Sequence, residues 1–198
     1  MNKVEALEKL ERLGLNVHNY IVAKESSDIV DAYNKLGRVC TIRTDASTNK
    51  EVLLPCYVCN NLSDIEVARI ANDIADKNLV AIIADGLRYD KSMRFNMVYK
   101  LSKNLDFVCE YSKEPVILHK MYNPTWLNTV VGNLNEPIRD WGVRKAIFEY
   151  GRLDLRELRD ILLRELDNKL FDNYVEVTFY IDKVGKLGQD RVYWEIER

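Results

Sequence analysis

Residues 175–198 read VEVTFYIDKVGKLGQDRVYWEIER and decide the fold of the chain. Apolar and polar side chains alternate in both halves of this stretch, which is the period of half-buried β-strands. The apolar set consists of Val175, Val177, Phe179 and Ile181 in the first half and of Val192, Trp194 and Ile196 in the second. Gly185 and Gly188 lie between the halves among polar residues, which predicts a hairpin connection.

The polar side of this predicted hairpin carries three glutamates. If the strands pair antiparallel, Glu176 comes near Glu195 and Glu197, because cross-strand neighbours lie about 5 Å apart. Carboxylates this close repel each other unless a cation neutralises them, and a divalent metal ion bound by carboxylate oxygens does so. The pattern therefore leaves two interpretations open: a metal site, or a solvated sheet face with ordinary surface glutamates.

Length and composition predict a globular cytoplasmic protein. The chain has 198 residues, enough for one large domain or two small lobes, and 47% of its residues are hydrophobic. Its net charge of −2 argues against a permanent nucleic-acid or membrane surface, because such surfaces usually show a basic excess. No apolar run approaches the roughly 20 residues that span a bilayer, and the charged, helical amino terminus differs from a signal peptide.

The cysteines favour neither a zinc site nor a redox centre. Cys56 and Cys59 form a CxxC motif, but a second ligand pair is missing because the only histidines are His18 and His119. A redox CxxC normally opens a helix after a strand, whereas this one lies before a predicted helix. We expect reduced structural thiols.

The apolar periodicity along the chain predicts an α+β fold. Predicted helices cover residues 5–13, 26–36, 63–77 and 153–170. Predicted strands, besides the hairpin, cover residues 17–23, 38–44, 79–85, 93–101, 106–111, 115–122 and 129–131. The strands between residues 79 and 122 follow one another without helices, which predicts an antiparallel meander. We expect two lobes of antiparallel sheet with packed helices, the first over residues 1–78 and the second over 79–198.

Three further segments carry a recognisable pattern. Residues 3–17 read KVEALEKLERLGLNV, a lysine followed by a helix, a glycine and an apolar strand. Residues 39–47 read VCTIRTDAS, a strand that ends in an arginine and small polar residues, and residues 115–124 read PVILHKMYNP. Together with the carboxylate hairpin, and in this order, they resemble the ATP-grasp nucleotide-binding domain of phosphoenolpyruvate synthase and pyruvate phosphate dikinase. The resemblance spans nearly the whole chain.

The resemblance implies ATP and Mg²⁺ as cofactors and suggests which residues contact the nucleotide. Lys3 and Arg43 match the cations that contact the phosphates, and Arg43 is the candidate catalytic residue. Met121, His119 and Lys120 match the hinge that holds the adenine base, although the family usually has glutamine at the position of His119. Without the resemblance, Lys3 is an exposed terminal lysine, and His119 and Met121 are ordinary core residues.

The resemblance also implies the metal ligands. Glu176 matches the acidic residue of the first metal-binding strand, and Glu195 or Glu197 matches the residue of the second, where the family often has glutamine. The alternative for Arg43 is an ion pair with Asp45 or another acidic neighbour. The chain ends at Arg198 before any counterpart of the family's phosphohistidine and pyruvate domains, so we expect it not to be a complete dikinase.

Three functional hypotheses follow. The first is an MgATP-binding phosphotransferase or ligase that forms a phosphorylated intermediate with an unknown acceptor. The second is a non-catalytic regulatory module that acts through protein partners, through its charged helix 153–170 or with a partner that supplies the missing domains. The third, nucleic-acid binding, is disfavoured because the basic residues of 139–164 alternate with acidic ones, as on a salt-bridged surface helix. The sequence contains no P-loop, dinucleotide fingerprint or nucleophile elbow.

Overall fold

The computed structural model describes residues 2–46, 54–85, 94–112, 128–145, 154–181 and 187–197. It contains two compact units, each built on an antiparallel sheet with packed helices, as the predicted α+β class requires. The first unit comprises Met1–Glu8 and His18–Asp90, and the second comprises Lys9–Val17 and Lys91–Arg198. Among the described residues, no helix is long and apolar enough to cross a membrane.

The described elements agree broadly with the predicted ones. The helices are α1 (Lys3–Arg12), α2 (Ser26–Lys35), α3 (Asp64–Asp76) and α4 (Leu155–Glu165). The strands are β1 (Tyr20–Ala23), β2 (Val39–Ala46), β3 (Cys56–Asn60), β4 (Leu79–Asp85), β5 (Arg94–Leu101), β6 (Asp106–Ser112), β7 (Asn128–Asn133), β8 (Gly142–Arg144), β9 (Tyr174–Ile181) and β10 (Leu187–Glu197). The predicted strand 115–122 lies outside the described residues.

Several predicted boundaries differ from the structure by a few residues, among them the end of α4 and the start of β10. The helix predicted to run to residue 170 ends at Glu165, because the chain tightens into a 3₁₀ turn over Leu166–Asn168 and Lys169 adopts a left-handed backbone with φ 54°. The hairpin connection was expected to extend through Asp190, but β10 begins at Leu187, so residues 188–190 belong to the strand.

The four-stranded sheet of the first unit has the order β1-β4-β2-β3, with every neighbouring pair antiparallel. Helices α2 and α3 cover one face, where Ile29 and Ile74 pack against Ile42 and Ile83. Helix α3 starts with a capping box in which the Ser63 hydroxyl accepts from the Glu66 amide and the Glu66 carboxylate accepts from the Ser63 amide. This sheet is a complete β-α-β-β-α-β unit with its own core.

Strand β4, which the predicted lobe boundary between residues 78 and 79 assigned to the second lobe, belongs to the sheet of the first unit. Strand β4 pairs with β1 on one side and β2 on the other, so it is an inner strand of the first sheet rather than the start of the meander. Its sequence, LVAIIAD, is buried on both faces, from Leu79 to Ala84. A strand buried on both faces shows no alternation, and the pattern therefore does not indicate which sheet it joins.

The six-stranded sheet of the second unit has the order β10-β9-β5-β6-β7-β8, again with antiparallel neighbours throughout. Strands β5 to β8 pair in sequence order as an antiparallel meander, whereas the predicted meander began with residues 79–85, which belong to the other sheet. The terminal hairpin adds β9 beside β5. We call the face that carries Tyr99, Val175 and Val177 the helix face, because α4 contacts it, and the face that carries Val98 and Glu176 the carboxylate face.

All four cysteines lie in the described part of the chain and are free thiols, as predicted. Cys59 lies opposite Cys40 in the β2–β3 pair, and both are buried in the core of the first unit. A hydrogen bond from Cys40 lowers the pKa of the Cys59 thiol. The exposed Cys56 lies on the other face of its strand, because residues three apart in a strand point to opposite sides.

Candidate functional site

Arg43 lies on the face of the four-stranded sheet opposite to the one that α2 and α3 cover. Its strand neighbour Ile42 is in the core beneath α2 and α3, so the alternation of the strand directs Arg43 to the opposite face. There it is paired with Ile82 of β4 and Cys56 of β3, and it is half-buried. The strand was predicted to end at residue 44, directly after Arg43, but β2 continues to Ala46, so Arg43 lies inside the strand.

Lys3 is held beside the same strand end rather than exposed as a loose terminal residue. Its Nζ donates a hydrogen bond of 2.9 Å to the carbonyl oxygen of Thr44, and its backbone N–H donates one of 2.7 Å to Oδ2 of Asp45. The buried Asp45 carboxylate thus caps the amino terminus of α1, where the helix dipole favours a negative charge. The Lys3 ammonium therefore lies beside Thr44, the residue that follows Arg43, although Lys3 and Arg43 are forty positions apart in the sequence.

The predicted carboxylates meet across the β9–β10 pair. Glu176 lies directly opposite Glu195, and both are half-buried on the carboxylate face. Glu197 lies opposite Tyr174 at the next position of that face, and the Lys100 ammonium is 5.0 Å from the centre of the Tyr174 ring. Directly opposite carboxylates repel each other, so this pair lowers stability unless cations neutralise it.

The regular alternation predicted for β10 is wrong. Tyr193 lies opposite Val177 on the helix face, whereas Glu195 lies opposite Glu176, and a β-bulge separates the two positions. Trp194 belongs to the carboxylate face, since its indole N–H donates to Oγ1 of Thr178 over 2.8 Å. A bulge adds one residue to a strand and shifts every later side chain, which a two-residue period in the sequence does not reveal.

Glu110 is a site residue that the sequence analysis missed. It is 6% exposed and lies opposite Val98, which in turn lies opposite Glu176. On its other side lies Thr129, whose buried hydroxyl makes no hydrogen bond with the described residues. The sequence pattern gives no signal for Glu110, because apolar residues at the odd positions of this strand predict an exposed side chain at position 110.

The helix face contains a different kind of carboxylate. Glu165, at the end of α4, is 1% exposed and accepts hydrogen bonds from the hydroxyls of Tyr99 (2.6 Å) and Tyr193 (2.9 Å) and from the Asn168 amide (2.8 Å). It also forms an ion pair with Arg191. Burial and the Glu165 charge raise the pKa of Tyr193, and they raise that of Tyr99 well above its usual range. This carboxylate is saturated with donors and serves the packing of α4.

The donor set on the carboxylate face suits a magnesium ion. Carboxylate oxygens are the ligands that this hard cation prefers. Within the described ranges, however, no cluster of three or more metal-ligating side chains lies close enough to bind an ion. Glu176 and Glu195 therefore offer two ligands, as magnesium commonly uses when phosphate oxygens and water complete its shell. The predicted hinge residues His119, Lys120 and Met121 lie outside the described residues.

No known protein family model matches the chain, and no curated protein sequence matches it. Its structure resembles PurK, an N5-carboxyaminoimidazole ribonucleotide synthetase in its ADP complex, with a TM-score of 0.54 and 12% identity over 98% of this chain and 44% of that chain. D-Alanine-D-alanine ligase from Helicobacter pylori follows with a TM-score of 0.46 and 15% identity, over 99% of this chain and 53% of that chain. The fold is the ATP-grasp fold. This chain spans less than half the length of PurK.

Proposed function

We propose that this protein binds MgATP and uses it for ligase-type activation or phosphoryl transfer. The observation that carries the proposal is the pairing of Glu176 with Glu195 on the carboxylate face of an ATP-grasp fold. Phosphoryl chemistry needs carboxylates that hold a metal ion and cations that spread the phosphate charge. Lys3 and Arg43 are the cations that the family resemblance assigns to the phosphates. PurK, the structure with the higher similarity score, is itself an ADP complex.

The cations and carboxylates have separate roles in this proposal. Lys3 and Arg43 bind phosphate oxygens, and Arg43 stabilises the charge that develops when the acceptor oxygen attacks the γ-phosphorus and ADP leaves. Glu176, with Glu195 or Glu197, would hold Mg²⁺, which supplies charge neutralisation at the phosphates when it is bound.

We propose the adenine hinge from the family resemblance alone. His119, Lys120 and Met121 match the hinge segment of the dikinase nucleotide-binding domain, so we assign them to the base. We likewise propose a closer relation to phosphoenolpyruvate synthase, a cytoplasmic location and a partner protein that supplies the acceptor. PurK is a synthetase, which favours ligase-type activation through an acyl-phosphate intermediate over transfer to a dikinase histidine.

Thermal unfolding with and without ATP and Mg²⁺ tests the proposal. A ligand at 100 times its Kd adds about 2.7 kcal/mol to the free energy of unfolding, so millimolar MgATP should raise the Tm clearly. Glu176→Gln and Glu195→Gln should remove the magnesium-dependent part of the rise. Arg43→Ala should weaken the response to nucleotide with and without the metal.

The matched control is Asp160→Asn, an exposed acidic residue of α4 that should leave the response unchanged. A rise that survives both glutamine variants would show that the metal lies elsewhere. The absence of any rise in the wild type would contradict nucleotide binding. Binding without ADP production in the presence of candidate acceptors would support the non-catalytic module instead.

A further inference from the structure

The position of Glu195 depends on the bulge in β10. Tyr193 and Glu195 are two residues apart and would share a face in a regular strand. Here they lie on opposite faces, because Tyr193 is opposite Val177 and Glu195 is opposite Glu176. Trp194 is the additional residue between them.

A β10 strand without the bulge would separate the two carboxylates. Continuing the pairing from Tyr193 without an extra residue would set Trp194 opposite Glu176 and Glu195 opposite Val175. Val175 is fully buried on the helix face, where an additional carboxylate would lose its hydration. The bulge therefore decides whether Glu195 reaches Glu176.

Contacts on the helix face hold the strand before the bulge. The Tyr193 hydroxyl donates to the Glu165 carboxylate and accepts a hydrogen bond of 2.8 Å from the Asn168 amide. Arg191, two residues earlier in β10, forms the ion pair with Glu165. Helix α4 and the turn that follows it thus contact β10 at Arg191 and Tyr193, two successive positions of the helix face.

A second anchor holds the strand after the bulge. Ile196 is fully buried on the helix face opposite Val175. Tyr193 and Ile196 are three residues apart, an odd spacing that one face of a strand accommodates only with an inserted residue. On the carboxylate face, Trp194 bonds to Thr178, whose hydroxyl donates to Oδ1 of Asn96 over 2.7 Å.

We propose that Tyr193 and Glu165 are positioning residues that fix the β10 bulge and thereby turn Glu195 toward Glu176. The part of this inference that concerns metal binding rests on the proposed function of the two glutamates. The part that concerns the register of β10 does not, so the two can fail separately. Tyr99 supplies a matched control, because its hydroxyl also donates to Glu165 but it belongs to β5, which pairs with β6 and β9 without a register shift.

A disulfide trap measures the register directly. Residues directly opposite in an antiparallel pair have Cα atoms about 4.5–5.5 Å apart, within the range that a disulfide spans. The double variant Glu176→Cys/Glu195→Cys should therefore form a 176–195 disulfide when oxidised glutathione accepts its two electrons and two protons and is reduced to two thiols. Peptide mass spectrometry separates this bond from any involving the native cysteines.

The trap is then repeated in two backgrounds. Tyr193→Phe should slow formation of the 176–195 disulfide several-fold, whereas Tyr99→Phe should leave the rate near that of the parent. Equal rates in both backgrounds, or no disulfide in the parent, would overturn the proposal. Either result is independent of any ligand.

Metal binding is measured on the chain that keeps both glutamates. Tyr193→Phe should weaken the affinity for Mn²⁺ with ATP about tenfold, the size typical of groups that orient metal ligands, and Tyr99→Phe should not. Equal weakening by both variants would indicate a general loss of stability and overturn the positioning role. If the wild type binds neither Mn²⁺ nor MgATP, the proposed function fails, and the disulfide rates still decide the register.

Discussion

The two faces of the six-stranded sheet place their carboxylates in different surroundings. On the helix face, Glu165 receives hydrogen bonds from two tyrosines and an amide and an ion pair from Arg191. On the carboxylate face, Glu176 lies opposite Glu195, and Glu110 lies two strands away in the same row. A buried charge with a full set of donors is a structural device, whereas neighbouring like charges lower stability. The second arrangement therefore directs attention to function.

The strongest test of this contrast removes the carboxylate of the helix face. Glu165→Ala leaves Arg191 without its ion-pair partner and three other donors without their acceptor. Breaking a buried pair in this way typically costs about 3–5 kcal/mol, so the free energy of unfolding in urea should fall by that amount. Asp160→Ala, an exposed change on the same helix, is the control and should have little effect. A similarly small effect of Glu165→Ala would show that Glu165 does not stabilise the fold.

We expect the helix face to be packed more tightly than the carboxylate face. A Cβ at Gly132 would lie 2.5 Å from Cδ1 of the buried Trp141, which packs edge-on against Phe107 of the helix face. Gly132→Ala should therefore destabilise by about 1–3 kcal/mol, as overpacking of a core usually does.

The control is Gly142→Ala, whose Cβ would lie 3.0 Å from a methyl of Val131, a side chain that is 46% exposed and free to shift. We expect a change of no more than about 0.5 kcal/mol there. Equal losses in denaturant unfolding of the two variants would contradict the difference in packing.

Alkaline pH should weaken the helix face through its tyrosines. Burial raises the pKa of Tyr193 above the value of about 10 expected in the unfolded chain, and the Glu165 charge adds to this effect. The stabilisation is complete below pH 10 and declines above it, because the unfolded state then releases a proton that the folded state retains. Between pH 9 and 11, Tyr193→Phe should reduce the loss of unfolding free energy by about 1.4 kcal/mol in total, measured by urea unfolding. An unchanged slope would contradict the raised pKa.

The smallest stability effect is expected on the carboxylate face. Glu176→Gln should change the free energy of unfolding without ligand by no more than about 0.5 kcal/mol, since Glu176 is half-buried and repelled by Glu195. The same variant should lose the magnesium-dependent response to ATP. A loss of stability comparable to that of Glu165→Ala would make Glu176 a structural residue and erase the distinction between the faces.

Much of this architecture was predictable because it depends on local periodicity. The alternation in residues 175–181 predicted β9, and the paired glutamates followed from antiparallel pairing alone. The helices α1, α2 and α3 were found within a few residues of their predicted bounds, since amphipathic spacing and the Ser63 cap are local signals. Arg43 and Lys3 were singled out by resemblance, and the contact between Lys3 and Thr44 then explained how the terminal lysine is held.

Other features depended on contacts that sequence spacing does not encode. The buried run of β4 could join either sheet, and only its pairing with β1 and β2 assigned it to the first. Glu110 looked like one charge in a mixed strand until the pairing aligned it with Glu176. Glu165 looked like one of many charges on an amphipathic helix, and its 1% exposure emerged only from the convergence of β5, β10 and α4.

The sequence by itself therefore determined the α+β class, most elements and the meeting of two carboxylates on a terminal hairpin. The tertiary structure decided which sheet each strand joins, which carboxylate is saturated with donors and which lies beside another, and where β10 bulges. The physical reason is that periodicity reports only whether a side chain is buried, whereas register and bulges are set by anchors from distant elements. Here those anchors are Tyr193 on Glu165 and Ile196 opposite Val175.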